Sequence, residues 1–216
     1  MNILLIFADT ANGVCAINCE HWIDLGISTF GSGITMFIAY LWKFRRLFDN
    51  SMFSNQKAAE KHIIKDMENS KELRVFAMCA STFSNSATNE IAKKAHSDSS
   101  LQQFYLISDV DNSENIDERQ KELPKDADPL ITKIENSINN FKSKKTTNPN
   151  LKIRTHKKKV GLRLIILDDC LYLSHQEPNK YGKNSKVEKY TKDKPEYRNY
   201  LNYFNDLWKQ YESSEI

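Results

Sequence analysis

The chain has 216 residues, with 31 Lys and Arg against 28 Asp and Glu and a formal net charge of +3. That balance is too small to imply a nucleic-acid partner, which stays open, and 27% charged with 40% hydrophobic residues describes one globular domain plus room for an anchor and a linker. The four cysteines, Cys15, Cys19, Cys79 and Cys170, lack zinc-site spacing and suggest no disulfide framework, so no metal and no cofactor is expected and a reducing compartment fits.

Residues 1–21 form a short N-terminal segment. Its apolar run Ile3–Ala8 has no basic residue before it, which excludes a secretory signal. Residues 22–43 then predict a transmembrane helix. Ile23 to Trp42 carries one charge, Asp24, and about 20 helical residues span the roughly 30 Å of a bilayer core. Trp22 stands at one end, Tyr40 and Trp42 at the other, as interfacial aromatics do. The alternative is a buried, glycine-rich core helix. Lys43, Arg45 and Arg46 follow the span while no Lys or Arg precedes it, so the expected orientation is single-pass with the C-terminal domain in the cytoplasm.

Residues 44–70 read as a linker segment. Within it Ala59, Ile63, Ile64 and Met67 fall at helical spacing, behind a cap at Ser54 or Asn55. The domain proper is expected over 71–212. Leu73–Cys79 predicts a strand, Ala80–Ser86 a loop, Ala87–Ala95 a short helix and Gln103–Ile107 a strand. Asp111–Asp128 reads as a loop with a helical turn. Pro129–Phe141 is an amphipathic helix, and Leu151–Thr155 a strand. Leu162–Leu167 and Cys170–Ser174 flank Asp168-Asp169 as a hairpin. Gln176–Lys194 is polar and reads as a mobile loop. Pro195–Tyr211 closes the chain as a helix whose stripe Tyr197, Leu201, Phe204, Leu207, Trp208 and Tyr211 faces the core. The order β-α-β-α-β-β-β-α predicts an α/β fold with a mixed sheet flanked by helices.

The hairpin carries the chemistry. Gly161-Leu162-Arg163-Leu164-Ile165-Ile166-Leu167-Asp168-Asp169, followed by Leu171-Tyr172-Leu173-Ser174, resembles the phospholipase D-like superfamily over about residues 60–211. That family's strand reads H-x-K, four mostly apolar residues, then D. Gly161 stands at the position of the His, Arg163 at the Lys and Asp168 at the Asp. The resemblance implies a phospholipase D-like sheet and a pocket built from two motif copies, hence a homodimer. It also implies a pseudoenzyme, because Gly161 offers no nucleophile. The phosphate-binding candidates are Arg163, Ser174 and Lys158. Arg163 either takes a phosphate through its planar fork or pairs with Asp168, which could equally be a turn residue holding backbone N–H groups.

The expected function is a membrane-anchored, non-catalytic domain for binding, sensing, signalling or scaffolding, with a phosphate-containing ligand as candidate partner. The alternative is a divergent phosphodiesterase or nuclease with a relocated nucleophile, His156 or His175. Weaker candidates are Asp109 and Asp111 after a strand, read mainly as a loop, and Ser81, Thr82 and Ser84, read mainly as turn residues with a capacity to donate to an anion. The basic runs Lys142–Lys145 and His156–Lys159 read as solvated loops.

Overall fold

Seven short segments pair into one mixed sheet within residues 51–216, the part of the chain that the computed structural model describes. The strands are β1 (Ser51–Phe53), β2 (Glu72–Ala77), β3 (Gln102–Ser108), β4 (Leu151–His156), β5 (Leu162–Leu167), β6 (Cys170–His175) and β7 (Val187–Thr191). They lie in the order β1-β7-β6-β5-β2-β3-β4. β2, β3 and β4 run parallel to one another, and the remaining pairs are antiparallel. The helices are α1 (Gln56–Met67), α2 (Ser81–Ser84), α3 (Glu90–Ser97), α4 (Ser113–Lys121), α5 (Leu130–Lys145) and α6 (Pro195–Gln210).

Side-chain alternation divides the sheet into two faces. Val75, Tyr105, Ile153, Ile165 and Tyr172 share one face by register. Two crossovers lay α3 and α5 on it: Gln103 Nε2 donates to the carbonyl of Ala95 at 2.6 Å, and Phe141 meets Tyr105 at 4.3 Å between ring centres. α1 joins them. Asn55 caps it by accepting from the N–H of Ala58 at 3.0 Å, and Ala59, Ile63 and Met67, one helical stripe, are buried. Asp66 on α1 accepts from Tyr172 and from Lys189, the latter at 2.6 Å, which ties the helix to β6 and β7.

Phe76, Phe104 and Leu164 point to the other face, which α6 covers. Pro195 opens this helix at its first turn, where a missing N–H costs nothing. Tyr197, Phe204 and Leu207 of the predicted stripe are buried, and Trp208 sits edge-on to Phe104 at 5.4 Å.

Asp168, in the turn between β5 and β6, accepts from the N–H groups of Lys71 at 2.7 Å and Glu72 at 3.1 Å. It pins the start of β2 and forms no ion pair with Arg163 among the described residues. Of the two readings open for it, the structure takes the turn residue.

The mixed α/β sheet and its central elements match expectation, with five differences, the first being β1, a strand within the segment 44–70 that was read as a linker. A short helix, α2, occupies the predicted loop 80–86. α4 fills part of 111–128, where only a helical turn was expected; it is too polar for a clear apolar stripe, with Ile116 its one buried aliphatic residue. β7 runs through the region read as a mobile loop, because in Val-Glu-Lys-Tyr-Thr only Val187 is fully buried and the alternation is masked. The compact unit runs from Asn50 to Ile216, so α1 is part of the covering layer. Among the described residues no helix is long and apolar enough to cross a membrane. The anchor predicted over 22–43 and the segment 1–21 lie outside the described residues.

Asp168→Ala should lower stability by about 2 kcal/mol, since two backbone donors lose a charged acceptor. Urea denaturation of the full chain measures this. Asp168→Asn, which retains one acceptor oxygen, should lose less.

Candidate ligand-binding site

In an open α/β sheet, ligand crevices lie beyond the carboxyl ends of the strands, where neighbouring connections diverge. Here the chain leaves β2 toward β3, while β5, the other neighbour of β2, starts at the same edge. A cavity of about 650 Å³ opens there. Its floor is the segment Ala77–Asn85, Arg163 at the start of β5, and Ser174 at the end of β6. Arg163 and Ser174 are direct register partners, so their side chains share a face. Both predicted residues therefore meet in one cavity.

Arg163 is half-buried, and its Nη2 is sealed from solvent without a hydrogen-bond partner. Nη1 donates to Oε1 of Gln56, the first residue of α1, whose Nε2 donates onward to Oγ1 of Thr82 at 2.9 Å. No carboxylate among the described residues lies within ion-pair distance of Arg163. Burial pulls its pKa down to about 10, which leaves it charged at neutral pH. A buried cation with one neutral partner is costly unless an anion completes it. Ala80, in the same floor, has φ 46°, a left-handed conformation rare for a residue with a Cβ. Such local strain is commonest at ligand sites.

The roof comes from residues that the sequence did not single out. Arg119 on α4 is buried, donates to Oε2 of Glu122 at 2.8 Å, and holds the carbonyls of Glu177 and Lys180 at 3.3 and 3.0 Å. It fixes the segment carrying Tyr181 and Lys183 beside the cavity. No motif marks an isolated Arg in a polar helix. On α5, Lys133, Asn136, Ser137 and Asn140 line the wall. Their i, i+3, i+4, i+7 spacing was readable as a second, polar stripe beside the apolar one.

The other candidates separate from this site. His156 lies on β4, three strands from β5, roughly 14 Å at 4.8 Å per strand. It also points to the opposite face, packed on Phe76 at 4.9 Å, and is fully buried. It cannot serve as the relocated nucleophile. Lys158 is exposed, with its Nζ 5.7 Å from the ring centre of Tyr203 on α6, and does not border the cavity. His175 borders the cavity, but alternation turns its side chain away from the face of Ser174. Gly161 borders a smaller adjoining space of about 150 Å³, and a Cβ there would meet nothing within 4 Å. Asp109 accepts from the N–H of Asp111 at 3.0 Å and from Thr155 at 3.1 Å, so this pair organises a loop. Among the described residues no group of His, Cys, Asp and Glu is placed to hold a metal ion. Ser81, Thr82 and Ser84 belong to α2 and line the floor.

No family model matches the chain, and no curated protein matches it. A solved structure of TrmBL2, an archaeal chromatin protein described as showing a novel mode of DNA binding, aligns with a TM-score of 0.43 and 11% identity. The alignment covers 89% of this chain and 66% of that one, just under two thirds of its length. At that level the likeness assigns neither a family nor a function.

Burial pushes the pKa of His156 down to about 4. The unfolded imidazole protonates near 6.5 and the folded one only near 4. The stability gained from a neutral ring is therefore whole above pH 6.5 and is lost as pH falls toward 4, roughly 3 kcal/mol in all. Denaturant midpoints measured from pH 7 to pH 4 should fall more steeply for the wild type than for His156→Leu. Parallel curves would refute this.

Proposed function

We propose that residues 51–216 form a phospholipase D-like binding domain that takes a phosphate-containing ligand in the cavity at the β2–β5 edge and does not hydrolyse it. One observation carries this reading: Arg163 lines a sizeable cavity while its guanidinium keeps one sheltered, unpartnered nitrogen and has no carboxylate among the described residues to neutralise it. A planar fork beside the Ser174 hydroxyl and the α2 hydroxyls matches phosphate oxygens. The position matching the family's nucleophile is Gly161, and neither His156 nor His175 turns toward Arg163's face.

In this reading the apolar stretch 22–42 tethers the domain to the cytoplasmic side of a membrane. Tethering concentrates chains on a surface and favours pairing, which suits a family whose pocket takes a motif from each of two copies. Ligand occupancy would then be signalled through the paired domains.

Arg163→Met tests the reading in two ways. It removes a costly unpaired charge while retaining apolar bulk, so the ligand-free full chain should unfold no earlier than wild type, and up to about 2 kcal/mol later. The same change should abolish stabilisation by phosphate esters, which at 100 times Kd amounts to about 2.7 kcal/mol in the wild type. Thermal unfolding with and without fructose 6-phosphate reads both. Phosphodiesterase turnover by the wild type that disappears in Arg163→Met would replace this proposal with an enzyme.

A further inference from the structure

Arg163 is not the cavity's only source of positive charge. Lys133 on α5 and Lys183, in the 3-10 turn Gly182–Asn184, also line it. Both bring their ammonium to one ring: Lys133 Nζ lies 5.3 Å and Lys183 Nζ 5.7 Å from the centre of Tyr181. The two charges are therefore within about 11 Å of each other. The ring attracts each ammonium and offsets part of their mutual repulsion. Asp128 is the one carboxylate among the lining residues. It lies 3.2 Å from Lys133, but its side chain is 79% exposed, so the pair is screened and easily exchanged for a ligand anion.

Beyond Lys133 the α5 wall is neutral. Asn136 and Asn140 lie one helical turn apart on the α5 stripe, both exposed, with no side-chain hydrogen bond among the described residues. Each carboxamide offers two donors and an acceptor. The cavity lining thus holds Arg163 in its floor, Lys133 and Lys183 beside Tyr181, Arg119 already paired with Glu122, and free amides on the α5 wall.

We infer that the ligand carries two anionic groups on a polar, hydroxyl-bearing body, one phosphate held by Arg163 and Ser174 and the second anion held by Lys133 and Lys183. This rests on the phosphate-binding reading of Arg163 and adds a second locus to it. A phosphorylated sugar and a nucleotide share this chemistry, and the test separates them.

The experiment is titration calorimetry on the full chain with two matched pairs, fructose 6-phosphate against fructose 1,6-bisphosphate and AMP against adenosine 3′,5′-bisphosphate. In at least one pair the bisphosphate should bind at least tenfold more tightly, and the preferred pair identifies the body. Lys133→Gln with Lys183→Gln should erase that preference, weakening the bisphosphate at least tenfold more than the monophosphate. Lys133→Arg with Lys183→Arg, which retains both charges, should keep the preference and serves as the control for folding. Arg163→Met should weaken both members of the pair. Equal binding of mono- and bisphosphate, still lost in Arg163→Met, overturns the second locus while the Arg163 reading stands. A preference that survives the double Gln variant overturns it too. No binding of any probe to the wild type overturns both.

Discussion

The pairing of β2 with β5 holds the two halves of the sheet together. Leu73 to Phe76 lie against Leu167 to Leu164, antiparallel, with the parallel strands on one side and the antiparallel meander on the other. Asp168 extends this seam beyond the last pair by seizing two backbone N–H groups at the start of β2. At the opposite end the strands part beyond the Phe76–Leu164 pair, beside Arg163 near the start of β5 and Ala77 at the end of β2. The cation and the floor loop are neighbours because of this register. A slip of one residue would turn Arg163 to the α6 face, away from this cavity.

Two sheltered guanidiniums in the same domain show what each environment asks of a cation. Arg119 is satisfied by a carboxylate and two carbonyls, all from the chain itself. Arg163 has one carboxamide, and that carboxamide is itself anchored to Thr82. The first arrangement is complete and structural. The second has spare donor capacity, and the proposed phosphate-binding role rests on that asymmetry.

Much of the sheet was legible because its strands are short, apolar and bounded by turns. Arg163, Ser174 and Asp168 were legible because they lie on one hairpin, where spacing in sequence becomes spacing in the structure. Asp168 shows the limit of such reading: the residue was found, but a carboxylate beside an arginine fits an ion pair as well as a backbone clamp, and only the distant N–H groups of Lys71 and Glu72 decide. His156 and Lys158 were misleading for a related reason. They are close to Arg163 in sequence, yet the connection between β4 and β5 passes over two strands, so nearness along the chain is lost. The roof was illegible because Arg119 on α4 joins a polar segment through backbone carbonyls, which no side-chain pattern records.

That last feature has an evolutionary side. Arg119 grips main-chain oxygens at Glu177 and Lys180, so it holds the segment in place whatever side chains occupy it. Replacements at Tyr181 and Lys183 would then alter the character of the cavity mouth without dislodging it. The rim can thus change its side chains without disturbing the seam, the floor or Arg163. The domain would diversify as a socket with a replaceable rim.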